Sequence, residues 1–565
     1  MYGEQQIHPL FIHGNSPAVT NKGADGTGDM PKTKINPAGV DENTSVRNER
    51  TEVHKAIWKI ADDLRGKVTG WDFMTYVLGT IFYRFLSEKL ENQMNDDQRK
   101  AGAGEDFRYG DLSDEDADRA KATIISKQGY FLAPSHLFRN VRKAAKTNGD
   151  LNIFMGEVLD GIEESSKGTP TEKTFKGLFA GLDFNNAQIL GDTVPERNKY
   201  IVKILDGIGN MDLGEFDEHK IDVFGDAYEF LMTMYASNAG KSGGEFFTPQ
   251  EVSRLLAMIA TRGKKKIKSA YDPACGSGSL LMQVAKCIGK ENVTDGFYGQ
   301  ETEPTTHRLC RMNLFLHGIS PHKFDIHKGD TLLAPSPYHE FRKPFEVAVS
   351  NPPYATHWDG DGNPVLVSDM RFAPAGALAP KTKADFAFIM HTLSWLAPNG
   401  TAAILCFPGI FYRGGAERKI RKYLVENNFV DAVIDLPSNL FFGNSIATTI
   451  LVLRKNKMND NTVLFIDGKD QFVKVGNKNK LKTEHIDFIF KHYCERKDVP
   501  HLAVVVPFEK IEAEDFNLSV STYVEPEDRR EKVDIKKLNA DIAEIVKREG
   551  ELRDAVDSFV KEYEK

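Results

Sequence analysis

The chain contains no run of about 18 apolar residues, which excludes a membrane span by a hydrophobic helix. Its first residues lack the basic-then-apolar pattern of a secretory leader, so a cytoplasmic location is expected. Cysteine is scarce. The five that occur (Cys275, Cys287, Cys310, Cys406 and Cys494) are odd in number, widely spaced and form no CxxC pair. That argues against a disulfide framework or a zinc site, and all five are expected to be reduced thiols in the core, with no metal bound. An excess of basic charge is also missing: the net charge is -8, whereas a protein that holds DNA unaided normally carries a basic domain. Any grip on nucleic acid must therefore be local or shared with a partner. Two basic patches are candidates, Arg262 to Lys268 and Arg413 to Lys422, and a solvated loop and a solvated helix face account for them equally well. No GxxxxGK[ST] motif is present, which removes the main ATPase reading.

What is present is enough apolar residue, 41% of 565, to fill two to four domains. Residues 1–48 are rich in Gly, Asn, Pro, Lys and Thr without apolar periodicity, and read as a flexible extension. From Glu52 apolar residues recur at helical spacing (Ile57, Ile60, Leu64, then Tyr76, Val77, Leu78, Ile81, Phe82, Phe85), predicting a helical domain over 49–215. A helix over Ile221 to Ala236 follows, then a polar loop from Asn238 to Phe247 and an amphipathic helix from Glu251 to Ala260 with Pro249 near its first turn. Strands are then predicted at Lys268–Tyr271, Gly296–Gln300, Lys323–His327, Phe345–Ser350, Thr401–Phe407, Val430–Leu436 and Ala447–Arg454, with helices between most of them. This alternation predicts an α/β fold, a doubly wound Rossmann-like sheet, over 216–460. A C-terminal region is expected over 461–531. Over 532–565 the apolar residues Ile535, Leu538, Ile542, Ile545, Leu552, Val556, Phe559 and Tyr563 form a heptad-like seam, read as a helix that pairs with a partner's helix. Packing on the chain's own core is the other use of such a stripe.

Two loops carry the chemistry. Asp272-Pro273-Ala274-Cys275-Gly276-Ser277-Gly278 follows a strand and precedes a helix, where glycines let a nucleotide-type cofactor lie against the backbone; it departs from the GxGxxG fingerprint. Glu301, 25 residues after Gly276, closes the next strand, where an acidic side chain can accept hydrogen bonds from ribose hydroxyls. Asp330 ends the third strand and could reach an adenine amino group. Either carboxylate alone also fits a solvent-facing loop residue. Asn351-Pro352-Pro353-Tyr354 leaves the carboxyl edge of an apolar strand. The Asn351 side-chain oxygen and the carbonyl after it can both accept hydrogens from an NH2 group and so direct its lone pair. The two prolines fix the backbone and remove competing donors, and Tyr354 offers a face for a planar ring.

The glycine loop followed by NPPY resembles the amino-methyltransferases that use S-adenosylmethionine. With Gly243-Gly244-Glu245-Phe246-Phe247-Thr248-Pro249 upstream, it looks like the gamma-ordered N6-adenine DNA methyltransferases. More narrowly, 52–565 is similar to the modification (M) subunit of type I restriction-modification systems, carried also by Trp71-Asp72-Phe73, Gly299-Gln300-Glu301 and the segment Phe407 to Gly415. The resemblance implies cofactor contacts at Glu245, Phe246, Phe247, Thr248, Pro249, Gln250, Ser277, Gly278, Ser279 and Glu301, with Asp272, Gly276 and Asp330 as further cofactor positions. It implies that Asn351, Pro352, Pro353 and Tyr354 hold an adenine flipped out of duplex DNA. Cys275 stands where alanine is more usual, a small-for-small exchange. No segment for reading a target sequence is evident, and the resemblance explains why: a separate specificity (S) subunit reads DNA, two M subunits flank it, and a restriction (R) subunit completes the complex. Two alternatives stay open at this point. An NPPY site can equally hold a protein glutamine carboxamide, although the FFTP element and the helical domain favour DNA, and a non-catalytic scaffold could keep the same fold.

Overall fold

The computed structural model describes residues 54–57, 59–60, 70–211, 218–238, 248–441, 445–457, 461–527 and 534–564. A long first helix, α1 (Gly70–Lys100), is the spine of the helical region and packs against α2 (Val194–Gly209) and α3 (Glu218–Asn238). The start of α2 is set by sequence. Thr193 and Glu196 form a reciprocal capping box and Pro195 lies in the first turn, so exposed N–H groups are satisfied and φ is preset. Tyr76, Val77, Leu78, Ile81, Phe82 and Phe85 of α1 are buried, matching the helical periodicity.

From residue 267 the described chain builds a nine-stranded sheet in the order β11-β8-β6-β7-β5-β4-β1-β2-β3. Its strands are β1 (Ile267–Asp272), β2 (Val293–Glu301), β3 (Phe324–Lys328), β4 (Phe345–Ser350), β5 (Leu396–Cys406), β6 (Val430–Asp435), β7 (Thr449–Arg454), β8 (Thr462–Asp467) and β11 (Ala503–Pro507). β9 (Val473–Val475) and β10 (Lys478–Lys480) form a separate hairpin. Strands β1 to β5 are parallel where they pair, whereas β7 runs antiparallel to both β5 and β6. The segment 461–531, expected as a region of its own, contributes two strands to the sheet. β8 pairs parallel with β6 and β11 antiparallel with β8, with α9 (Thr483–Glu495) between them in sequence, so the boundary expected at 460 cuts through one hydrogen-bonded layer.

The central strands are buried on both faces, which explains their near-continuous Val, Ile, Leu and Ala content. Alternate side chains enter two cores. Val347, Val349, Ala403 and Leu405 join α4 (Gln250–Thr261), α5 (Ser279–Ile288), α6 (Pro304–Leu316) and the helical region, while Ala348, Ala402, Ile404 and Leu451 join α7 (Asp385–Trp395) and α8 (Gly415–Glu426). The helical region is joined to the sheet layer through α6. Arg311 donates to the carbonyls of Lys173 (3.2 Å), Thr174 (3.1 Å) and Lys176 (2.8 Å), and the Phe315 ring lies between Phe82 and Phe175 with centroids 5.6 and 5.1 Å away.

Residues 525–565 form a second unit. Its helix α10 (Ile535–Tyr563) is capped by Asp534, whose carboxylate accepts from the N–H of Lys536 and Lys537. The apolar seam is on the surface: Ile545, Leu552, Val556 and Phe559 are about 60–65% exposed. Three of the cysteines are buried as expected (Cys275, Cys310, Cys406), but Cys287, near the outer end of α5, is exposed and Cys494 is half-buried. Among the described residues no helix is long and apolar enough to cross a membrane, and no cluster of His, Cys, Asp and Glu could hold a metal.

Candidate active site

The two chemistry-bearing loops lie 75 residues apart in sequence, counted from Gly276 to Asn351, and side by side in space. The cause is strand order. β1 pairs with β4 (Ala270 with Val347, Tyr271 with Ala348), whereas β2 and β3 lie on the other side of β1. The connection therefore reverses direction between β1 and β4. At such a switch point the loops leaving the carboxyl ends of the strands diverge and open a crevice. A small cleft is found there, lined by Thr248, Ala274, Cys275, Gly276, Ser277, Ser279, Leu280 and Asn351.

The glycine loop is held from several sides. Gly276 and Gly278 have φ of +51° and +80°, conformations that favour glycine. Gly276 N–H donates to Glu301 Oε2 at 3.0 Å, the N–H of Cys275 to the Gln300 carbonyl, and Asn313 Nδ2 to the Ser277 carbonyl at 2.9 Å. Ser279 Oγ meets Ser253 Oγ at 3.1 Å in a buried contact that ties α5 to α4. Glu301 also accepts from Glu303 N–H at 2.9 Å, and burial raises its carboxyl above the usual range.

Asp272 ends β1 and is wholly buried. Its Oδ1 accepts from Ala274 N–H at 3.0 Å, but Oδ2 has no hydrogen-bond partner in the described structure. Burial pushes its pKa up to about 7; the Ala274 N–H and the nearby Ser350 hydroxyl oppose the shift, although Ser350 forms no geometric hydrogen bond. A carboxyl half-satisfied beside a cleft suits a ligand that brings positive charge or a donor. The shift fixes a stability trend. The unfolded group titrates near its ordinary 3.8, so folding takes up a proton between that value and about 7, and stability falls as pH rises through this window and levels off above it. Asp272→Asn should flatten that part of the profile in thermal denaturation followed from about pH 4.5 to about pH 8. Unchanged slopes in the two proteins would refute burial of this carboxyl as their cause.

Asn351 follows β4. Its Nδ2 donates to Thr248 Oγ1 at 3.0 Å, and Tyr354 OH donates to its Oδ1 at 2.6 Å. Thr248, itself buried, thus links the segment before α4 to the NPPY loop. Pro352 is buried and Pro353 exposed. Burial raises the Tyr354 hydroxyl far above its normal range, so it is a neutral donor.

Not every expected position faces the cleft. Glu245, Phe246 and Phe247 lie outside the described residues. Pro249 is the N-cap of α4, one position before its first turn, and Gln250 Oε1 accepts from Gln283 Nε2 at 2.5 Å, bracing α4 against α5. Asp330 lies beyond the end of β3, is exposed, and directs Oδ1 to its own loop, accepting from Leu332 N–H at 2.8 Å and Leu333 N–H at 3.1 Å. Each basic patch is engaged in packing in part, and Lys265, Lys266 and Lys268 are exposed. Arg262 donates to the Cys494 carbonyl and Lys264 to the Asn399 carbonyl, Arg418 pairs with Asp515, and buried Arg421 holds the carbonyls of Ile410 and Phe516.

Sequence reasoning missed Thr331, Arg371, Asp385 and His391. Thr331 Oγ1 donates to the Pro273 carbonyl at 2.5 Å. Arg371, 8% exposed, donates to the carbonyls of Thr331 (2.8 Å) and Leu332 (2.7 Å), and pairs with Asp369. His391 lies between Arg371 and Tyr271 OH. The β3 loop is thereby fastened to both the glycine loop and the segment after NPPY. No local motif marks these residues, because the contacts exist only once the sheet is assembled.

Residues 219–532 match the N-6 DNA Methylase family, and residues 53–208 match the HsdM N-terminal domain. A type I restriction enzyme methylase subunit of Methanocaldococcus jannaschii is 33% identical over 383 residues, 65% of this chain and 64% of that protein. The crystal structure of a type I restriction-modification system methyltransferase subunit from Streptococcus thermophilus shares 32% identity and a TM-score of 0.74, covering 84% of this chain and 100% of the other. A type I restriction enzyme methylase subunit of Mycoplasma pneumoniae is 47% identical over 528 residues, 91% of this chain and 96% of that protein. With likeness of that depth across nearly its whole length, the chain belongs to the N-6 DNA methylase family and, within it, to the methylase subunits of type I restriction enzymes.

Proposed function

We propose that this chain transfers a methyl group from S-adenosylmethionine to the N6 amine of an adenine flipped out of duplex DNA, at sites chosen by a separate specificity subunit. The observation that carries this reading is the cleft at the β1/β4 switch point, in which Thr248, the glycine loop and Asn351 share one wall. The cofactor supplies an activated methyl group on a sulfonium. The residues present fit it: Ser277, Gly278 and Ser279 form the turn it would lie against, Glu301 stands at the end of β2 for the ribose, and Asp272 offers a buried, half-satisfied carboxyl. Glu245 to Gln250 and Asp330 complete the cofactor positions in this reading.

Asn351 and the Pro352 carbonyl act on the amine. A carbonyl oxygen has two lone pairs, so Oδ1 can keep the Tyr354 hydroxyl and still accept a hydrogen from the amine. Accepting both amine hydrogens turns the nitrogen lone pair toward the methyl donor and relieves the positive charge that develops as the bond forms. Pro353 stiffens the turn and the Tyr354 ring stacks on the base. A duplex base cannot reach such a cleft without leaving the stack. Membership of a DNA methylase family favours a nucleobase amine over a protein glutamine, and an intact NPPY loop favours an enzyme over a scaffold.

The exposed seam of α10 favours a helical partner. We assign it to the specificity subunit, which a second copy of this chain flanks and a restriction subunit joins on DNA in the cytoplasm. Transfer of tritiated methyl to unmethylated genomic DNA, with and without the specificity subunit, tests the whole reading; label in protein but not DNA would overturn it. Deleting 533–565 should weaken assembly at least about tenfold, since a stripe of this area is worth several kcal/mol when covered. Undiminished co-elution of the truncated chain with the specificity subunit would remove the helix from that role.

A further inference from the structure

The residue that follows the NPPY loop has an unfavourable backbone conformation. Ala355 has φ of +49°, a left-handed conformation in which an L-residue's Cβ crowds the following carbonyl and which glycine adopts freely. Such a conformation persists only where the surroundings impose it, and beside a reacting group it is a pointer to function. Two contacts impose it here. Asp385 Oδ2 accepts the Ala355 N–H at 3.2 Å, and the neighbouring Ala384 N–H donates to the Thr356 carbonyl at 2.9 Å.

Asp385 is the first residue of α7 and is 5% exposed. Among the described residues it forms no ion pair, and a buried carboxylate without one is rare. The helix N-terminus, the Ala355 N–H and the nearby charges of Arg413 and Lys383 are what make its burial tolerable. α7 is itself fixed near its middle, where His391 is held between Arg371 and Tyr271, so the carboxylate is presented from a rigid support.

We propose that Asp385 is a positioning residue for methyl transfer: by holding Ala355 in its left-handed turn it fixes the path on which Asn351 to Tyr354 leaves β4, and with it the Tyr354 ring and the Asn351 amide that the Tyr354 hydroxyl grips. The inference rests on reading Asn351 to Tyr354 as the target-amine site. Asp385 touches neither cofactor nor base. Its effect passes through one backbone N–H.

The test uses the full chain assembled with its specificity subunit, unmethylated genomic DNA and tritiated S-adenosylmethionine. Asp385→Ala should lower kcat about tenfold or more and leave cofactor Kd within about twofold, because the loss is one of orientation rather than of binding. Asp385→Asn, which keeps an acceptor oxygen, should stay within about threefold of the parent. Adding Ala355→Gly to Asp385→Ala should recover most of the lost rate, since glycine needs no enforcement at this φ. A general structural role would show no such rescue. Should Asp385→Ala not fold, the intact-aspartate pair decides: Ala355→Val is expected about tenfold slower than Ala355→Gly. Equal rates across the Ala355 series, or a fully active Asp385→Ala, overturn the proposal. Asn351→Ala in the same assay separates the two ideas: if it stays active the target-site reading fails, whereas an inactive Asn351→Ala beside a fully active Asp385→Ala removes only the role of Asp385.

Discussion

Asn351→Ala should reduce methyl transfer by at least about 10²- to 10³-fold while cofactor affinity changes less than about threefold. The side chain does two things that alanine cannot. Its oxygen accepts from the Tyr354 hydroxyl and, in the proposed reaction, would accept from the amine as well, and its Nδ2 is anchored to Thr248. Truncation removes the acceptor that would strengthen its grip as charge builds on the nitrogen, and it takes away the partner of the Tyr354 hydroxyl. At 1.36 kcal/mol per tenfold, the expected loss is about 3–4 kcal/mol of barrier stabilisation, a normal value for one preorganised group. Cofactor binding should survive, because Asn351 forms one edge of the cleft and the glycine loop forms most of the rest. Single-turnover transfer of tritiated methyl, paired with calorimetric titration of S-adenosylmethionine, measures both quantities. A rate within about threefold of the parent would end the assignment.

Gly278→Val should be the most damaging single change in the glycine loop, costing roughly 3 kcal/mol or more of stability and abolishing cofactor binding. Two penalties coincide there. The residue sits at φ +80°, which a β-branched side chain strongly resists, and a Cβ at this position would lie 2.8 Å from Cys310 Sγ. Cys310 is fully buried in α6 and cannot swing away. Gly263, with φ +75° and open space around it, separates the terms: Gly263→Ala carries only the backbone cost, about 1 kcal/mol. Thermal denaturation of both variants, with and without S-adenosylmethionine, makes the comparison. If Gly278→Val melts no lower than Gly263→Ala, crowding against Cys310 is not what demands glycine.

The legible parts of this chain are those whose physics is local. β4 and β6 were readable because strands buried on both faces are apolar almost throughout, and α5 because a glycine turn is followed by an amphipathic run. β8 and β11 were not distinguished as strands: VLFI and AVVV are short apolar runs in a polar stretch, and only pairing with β6 gives them a place. The same contrast holds at the site. Asn351 and Gly278 announce themselves through neighbours in sequence, whereas Thr331, Arg371 and Asp385 act on backbone groups 30 to 58 residues distant. Asp330 shows the same limit of local reading: its position after a strand fits a ligand contact, but a short acidic side chain also turns readily onto the N–H groups just ahead of it, as it does here. The basic patches are ambiguous in the same way, since arginine's stem and fork serve buried carbonyls as well as they serve phosphates.

Helix α6 works as a strut between two bodies. Arg311 and Asn313 lie two positions apart on it and therefore point to opposite sides. The first grips three carbonyls of the helical region, and the second holds the Ser277 carbonyl in the glycine loop. A load applied to the helical region, such as the docking of another protein or of DNA, thus reaches the cofactor loop through less than one turn of helix. A substitution at Arg311 would therefore disturb the helix that also supports the glycine loop.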